Sequence, residues 1–113
     1  MHEIGALTKA VDLVESVAKE HRIDRVKSIT LEVGELTGFL PVFFEKYFPI
    51  VIEDRPILAD ARLHLLTVNG QALCGACESV YNVMQHEGKC PNCGSREKTV
   101  LGGRDFVVKS IEF

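Results

Sequence analysis

Across the first twenty residues the apolar positions Ile4, Leu7, Val11, Val14 and Ala18 recur at steps of three and four, with Lys9, Asp12, Glu15 and Lys19 between them. That period predicts an amphipathic helix that starts almost at the first residue and buries one stripe. His21 and Arg22, near its end, suit the negative pole of a helix dipole. From Arg25 to Val33 the period changes to two: Ile29, Leu31 and Val33 alternate with Ser28, Thr30 and Glu32, as in a strand with one apolar face. Gly34 and Gly38 bracket a turn, after which Leu40, Phe44, Phe48 and Ile52 share one side of a second helix, with Pro41 at its first turn. Pro49 is predicted to kink or shorten this helix. Ala61, Leu63 and Leu65 alternate with Arg62, His64 and Leu66 in a second strand running towards Asn69-Gly70. A third strand spans Arg104 to Phe113, where Phe106 and Val108 share one parity and Ile111 and Phe113 the other. Either a bulge near Ser110 restores the facing or the strand is covered on both sides; the pattern leaves both open. The aromatic set Phe39, Phe43, Phe44, Tyr47 and Phe48 is too wide for one stripe, so Phe43 and Tyr47 either form an exposed partner patch or lie under the strands and first helix.

Between the second and third strands stand the only four cysteines, Cys74, Cys77, Cys90 and Cys93, as two Cys-x-x-Cys pairs with twelve residues between Cys77 and Cys90. Each pair sits among small and turn-forming residues, Cys74-Gly75-Ala76-Cys77 and Cys90-Pro91-Asn92-Cys93-Gly94, which let the backbone curl until both sulfurs lie about 2.3 Å from one ion. Four thiolates fill a tetrahedral Zn(II) site and leave no position for water or substrate, so the predicted zinc is structural. The rival, two disulfides or redox dithiols, lacks a secretory context. This segment is poor in large apolar residues and requires its metal to fold.

The order of elements implies an α+β fold: a small three-stranded sheet with two helices on one face, plus an inserted zinc-ribbon lobe. The boundaries read from the sequence are residues 1–70 and 98–113 for the α+β domain and 71–97 for the zinc-binding domain. The lobe then hangs on two short connections and is free to tilt as a unit. With 113 residues, 46% of them hydrophobic, the chain has the composition of an ordinary globular protein. A net charge of −3 with scattered Lys and Arg argues against a nucleic-acid partner. No apolar run is long enough for a membrane span, and no basic-then-apolar leader opens the chain, so the expected compartment is the cytoplasm. There is no nucleophile triad spacing, no phosphate-cradling glycine loop and no open zinc position, so an enzyme is not expected.

The opening Met1-His2-Glu3 carries a second candidate site. A free α-amine, the deprotonated backbone nitrogen of residue 2 and its imidazole can chelate one ion through two fused small rings. Three nitrogens in a plane suit Ni(II) or Cu(II) rather than the metal of a thiolate cage. The fourth position falls to Glu3, to a backbone nitrogen or to His86 from the cysteine loop; the plain alternative is a solvated terminal histidine. His64 and His21 are weaker candidates, on a polar strand face and a helix end.

Taken in order, the Met1-His2-Glu3 opening before an amphipathic helix, the stretch from Ile29 to Gly38, Ala61-Arg62-Leu63, the paired knuckles, and Val108-Lys109-Ser110-Ile111-Glu112 resemble the HypA/HybF family of hydrogenase nickel-insertion accessory proteins along the whole chain. The resemblance implies a nickel metallochaperone, monomeric or homodimeric, that carries Ni(II) as transient cargo at its N-terminus. It also implies docking on a HypB-type accessory GTPase and delivery to the large-subunit precursor of a [NiFe]-hydrogenase, with urease as a further recipient in some such systems. His2 would be the nickel ligand, Met1 the amine donor and Glu3 a neighbour, while Cys74, Cys77, Cys90 and Cys93 would hold structural Zn(II). The second reading from the residues is a zinc-ribbon interaction module with no nickel role. The departures from the family pattern, Arg55-Pro56 after the second helix, Pro49 within it, and Gly103-Arg104-Asp105-Phe106 near the end, are expected to bear on the surface of the second helix and the edge of the third strand, and so on the choice of partner.

Overall fold

The computed structural model of the chain describes residues 2–113. Helix α1 runs His2–Glu20 and buries Leu7, Val11, Val14 and Ala18, the stripe set by the helical period, whereas Ile4 stays exposed. It ends where Arg22 turns left-handed at φ 56 and Ile23 N–H returns to Ala18 O at 2.8 Å, closing the last turn. Strands β1 (Ser28–Gly34), β2 (Arg62–Val68) and β6 (Phe106–Glu112) form one sheet in the order β2-β1-β6. The β1–β2 pair is parallel, which obliges the chain to cross over through α2 (Pro41–Val51) before β2 can lie alongside. Ile29 and Leu31 of β1 face Leu63 and Leu65 of β2 in register, and both helices pack on this apolar face around Phe44, Phe48 and Leu58. β6 returns antiparallel to β1, with the register jumping between Thr30 opposite Ser110 and Leu31 opposite Val108, so a bulge at Lys109 turns Ile111 back to the core.

Helix α2 runs through Pro49 and ends two residues later, at Val51. Phe43 and Tyr47 stack on each other at 6.2 Å, half-buried, with Tyr47 packed against the main core.

A second sheet, in the order β4-β3-β5, is built from β3 (Gln71–Cys74), β4 (Val80–Asn82) and β5 (Lys98–Gly102) around Ala72, Cys74, Tyr81 and Cys90. Residues 98–102, which the sequence pattern assigns to the larger domain, pair here with β3 instead. The reason is that β5 alternates weakly, and only its hydrogen bonds to β3 decide its sheet. The two cores lie along a molecule 54 × 26 × 17 Å in extent.

Candidate functional site

The two knuckles are built alike. Cys74 N–H donates to Ser79 O at 2.8 Å and Cys90 N–H to Ser95 O at 2.9 Å; Glu78 N–H returns to Cys74 O at 3.1 Å and Gly94 N–H to Cys90 O at 2.8 Å. Each loop therefore needs a left-handed residue four places after its first cysteine, and Glu78 and Gly94 supply it at φ 63 and φ 78. The folded loops bring all four Sγ atoms within 4.8 Å of one another, with Cys74 to Cys93 and Cys77 to Cys90 each at 3.5 Å. None is in a disulfide. Cys74 and Cys90 are buried, Cys77 is half-buried and Cys93 is exposed.

The surroundings of the four sulfurs differ. Cys77 is held down to about 5, first by the Ser79 side chain, 3.2 Å from its sulfur, and next by the Asn92 amide at 3.5 Å. Backbone N–H groups of Cys77 and Ala76 hold Cys74 below the ordinary thiol range. At Cys93 the Ser95 N–H favours ionisation, but the other three sulfurs and burial outweigh it and push the thiol up to about 12. Cys74 and Cys77 thus favour the thiolate while Cys93 resists it, the pattern expected of a site whose charge a bound cation would offset. The donor set fits zinc, and among the described residues it is the only grouping of three or more His, Cys, Asp or Glu placed to hold a metal.

At the other candidate site His2 is exposed at the head of α1. Met1, read as the amine donor, lies outside the described residues. Beside His2 an open groove of about 670 Å³ runs between α1 and β6, lined by Ala6, Lys9 and Leu13 on the helix and Phe106 and Val108 on the strand. Glu3 turns inward. It is 5% exposed, and its Oε2 accepts a hydrogen bond from Leu40 N–H at 2.9 Å, satisfying the backbone just ahead of α2. Its carboxylate is thus engaged with the second helix. His86 lies in the cysteine lobe with its ring edge towards Tyr81 at 6.3 Å, His64 is exposed on β2, and His21 follows the end of α1. None of these three lines the groove at His2.

Several structural residues are not legible in the pattern. Arg55 is no surface variation: with its side chain 17% exposed, it pairs with Asp12 at 2.7 Å and with Glu15, while Nε donates to Val51 O at 3.2 Å, joining α1 to the end of α2. Phe106, half-buried, packs against the core, stacked on Phe44 at 4.9 Å and edge-on to Phe39 at 5.6 Å. These departures therefore carry packing roles, and Phe106 also lines the groove beside His2. An arginine forty residues after its Glu15 partner gives no sign of that pairing in one dimension, and neither does Glu35, whose contacts with Gly70 and Asn82 appear only once the lobes are assembled.

Comparison with known proteins agrees with this architecture. The family model described as hydrogenase/urease nickel incorporation, metallochaperone, hypA, matches residues 1–113. A hydrogenase maturation factor HypA from Francisella philomiragia is 35% identical over 113 residues, covering 100% of this chain and 99% of its own. A hydrogenase maturation factor HybF from Klebsiella pneumoniae is 35% identical over 112 residues, covering 99% and 98%. In fold, the solution structure of the Ni metallochaperone HypA from Helicobacter pylori superposes with a TM-score of 0.70 at 22% identity, over 99% of this chain and 97% of that one. With the two-lobed architecture and the cysteine cluster in place, the chain belongs to the HypA family of hydrogenase and urease nickel-incorporation proteins, which are metallochaperones in hydrogenase maturation rather than enzymes.

Proposed function

We propose that the chain carries Ni(II) as cargo at its amino end, bound through the Met1 amine and through the backbone nitrogen and imidazole of His2. The observation that supports this best is the contrast between two donor sets. The four sulfurs converge to enclose an ion, whereas His2 stands exposed at the mouth of an open groove, where an ion can be both taken up and surrendered. As the first residue of α1, His2 has a backbone nitrogen with no acceptor further back in the helix, and the chelate uses that nitrogen. A cation at a helix N-terminus meets the positive pole of the dipole. The deprotonated amide and the inward carboxylate of Glu3 supply the negative charge that offsets it.

We assign Zn(II) to Cys74, Cys77, Cys90 and Cys93, where it supplies a structural cross-link for the inserted lobe, and nickel to the α+β domain. Delivery proceeds on this reading in the cytoplasm, with a HypB-type accessory GTPase, to the large-subunit precursor of a [NiFe]-hydrogenase. The maturation roles in the names of the relatives support this route.

The test is titration with Ni(II) of the zinc-loaded protein, comparing a native Met1 terminus, a terminus carrying extra residues, and His2→Ala. Extension and His2→Ala each abolish tight uptake while leaving zinc content unchanged. Equal uptake by all three would overturn the proposal and leave a zinc-ribbon interaction module. Because nickel displaces protons from its nitrogen donors, uptake weakens as pH falls.

A further inference from the structure

The α+β domain and the cysteine lobe meet at one junction, and one side chain spans it. Glu35 opens the 3-10 turn Glu35–Thr37 that follows β1. Its Oε1 accepts two hydrogen bonds, from Gly70 N–H at 2.7 Å and from Asn82 Nδ2 at 3.0 Å. Gly70 belongs to the outgoing connection between β2 and β3; Asn82 lies on β4, inside the lobe's own sheet, opposite Gln71. The Asn82 Oδ1 accepts from Gln85 N–H at 2.8 Å, which fixes the amide with its NH2 group towards Glu35. The carboxyl of Glu35 is held below the usual carboxylate range by the Gly70 N–H first and the Asn82 amide second, so it meets both donors as an anion.

The same turn also grips the returning connection: Leu36 N–H donates to Gly103 O at 2.7 Å and Gly34 N–H to Asp105 O at 2.9 Å. Close approach here depends on missing side chains. A Cβ on Gly34 would overlap the Gly103 carbonyl, and one on Gly103, itself at φ 86, would lie 2.6 Å from Gly70 Cα. Both connections are therefore pinned at their base, as a pivot is. Beyond that base, among the described residues, the Glu35–Asn82 bond is the one side-chain hydrogen bond or ion pair that reaches from the α+β domain into the sheet of the lobe. The turn then continues through Thr37, whose hydroxyl donates to Gly34 O at 2.7 Å and accepts from Phe39 N–H at 3.1 Å, to Leu40, which Glu3 holds.

We infer that Glu35 is a latch, the carboxylate that sets the angle at which the four-cysteine lobe stands on the α+β domain. Losing it leaves the backbone pivot at Gly103 and Asp105 intact, and the lobe swings about its two connections with both cores preserved. The inference does not depend on where nickel binds.

Residual dipolar couplings of the full zinc-loaded chain at neutral pH test it, in the native protein and in Glu35→Ala and Asn82→Asp. The second variant is nearly isosteric and places a carboxylate against the latch instead of a donor. In the native protein, couplings from β1, β2 and β6 and from β3, β4 and β5 fit one alignment tensor. In each variant they require two, the lobe aligning more weakly, while zinc content and the amide shifts of the knuckles stay native. A single shared tensor in the variants, or two in the native protein, overturns the latch. Should Glu35→Ala fail to fold, Asn82→Asp decides by itself.

Discussion

Glu78 and Gly94 hold equivalent places in the two knuckles, both left-handed, yet only one is the residue that adopts this conformation without cost. A Cβ at Gly94 would touch nothing, so the expense of a side chain there is conformational alone. Glu78→Gly is expected to stabilise the metal-loaded lobe by about 1 kcal/mol and Gly94→Ala to destabilise it by about as much, seen as opposite shifts in the urea midpoint. The cysteine spacing in the sequence announces the knuckles, but not that Glu78 bears strain; that follows from the repeated hydrogen bonds of the folded loops.

At the scale of the elements, α1 and α2 are joined by Arg55 as well as by apolar packing. Removing it leaves the Glu15 carboxylate, 20% exposed, without its cation. Arg55→Ala should cost about 1–2 kcal/mol, and combining it with Glu15→Ala should cost less than the two singles summed, in a double-mutant cycle on thermal unfolding. The attachment of β6 to α2 rests on Phe106 against Phe44, rings 9° from parallel, with Phe39 edge-on. Phe106→Leu keeps the apolar character but loses both ring contacts, an expected loss of about 1 kcal/mol in the stability of the α+β domain. The helical and strand periods of this layer are visible in the sequence because each element shows one face to the core. Arg55 and Phe106 are not, because their partners lie forty or more residues away.

For the whole molecule, two cores of unequal size predict two modes of failure. The second sheet has strands of four, three and five residues, and two of its four buried residues are cysteines. So small a core does not hold without its cross-link. Removing the metal with a chelator is expected to erase the native amide shifts of β3, β4 and β5 and to leave those of β1, β2 and β6 in place. Survival of the second sheet would refute a stapling role for the ion. The latch adds a pH dependence. Because the folded Glu35 lies below its unfolded value of about 4.3, its contribution is complete above that value and is lost as pH falls through the folded one. The stability difference between the native protein and Glu35→Gln should therefore be full at neutral pH and shrink on acidification, as measured by denaturation across that range.

Taken alone, the sequence determined whatever is local or periodic: the stripe of α1, the buried Phe44 and Phe48 of α2 though not the exposed Leu40, the alternation of β1 and β2, and the two knuckles, since helical and strand periods and cysteine spacing act over a few residues. Tertiary structure alone decided the rest: that Lys98–Gly102 joins the cysteine lobe, that a bulge at Lys109 turns the last strand, that Glu3 faces α2, and that Glu35 fastens one lobe to the other. These are matters of which distant groups meet, and hydrogen bonds between segments far apart in sequence leave no period behind them to be read.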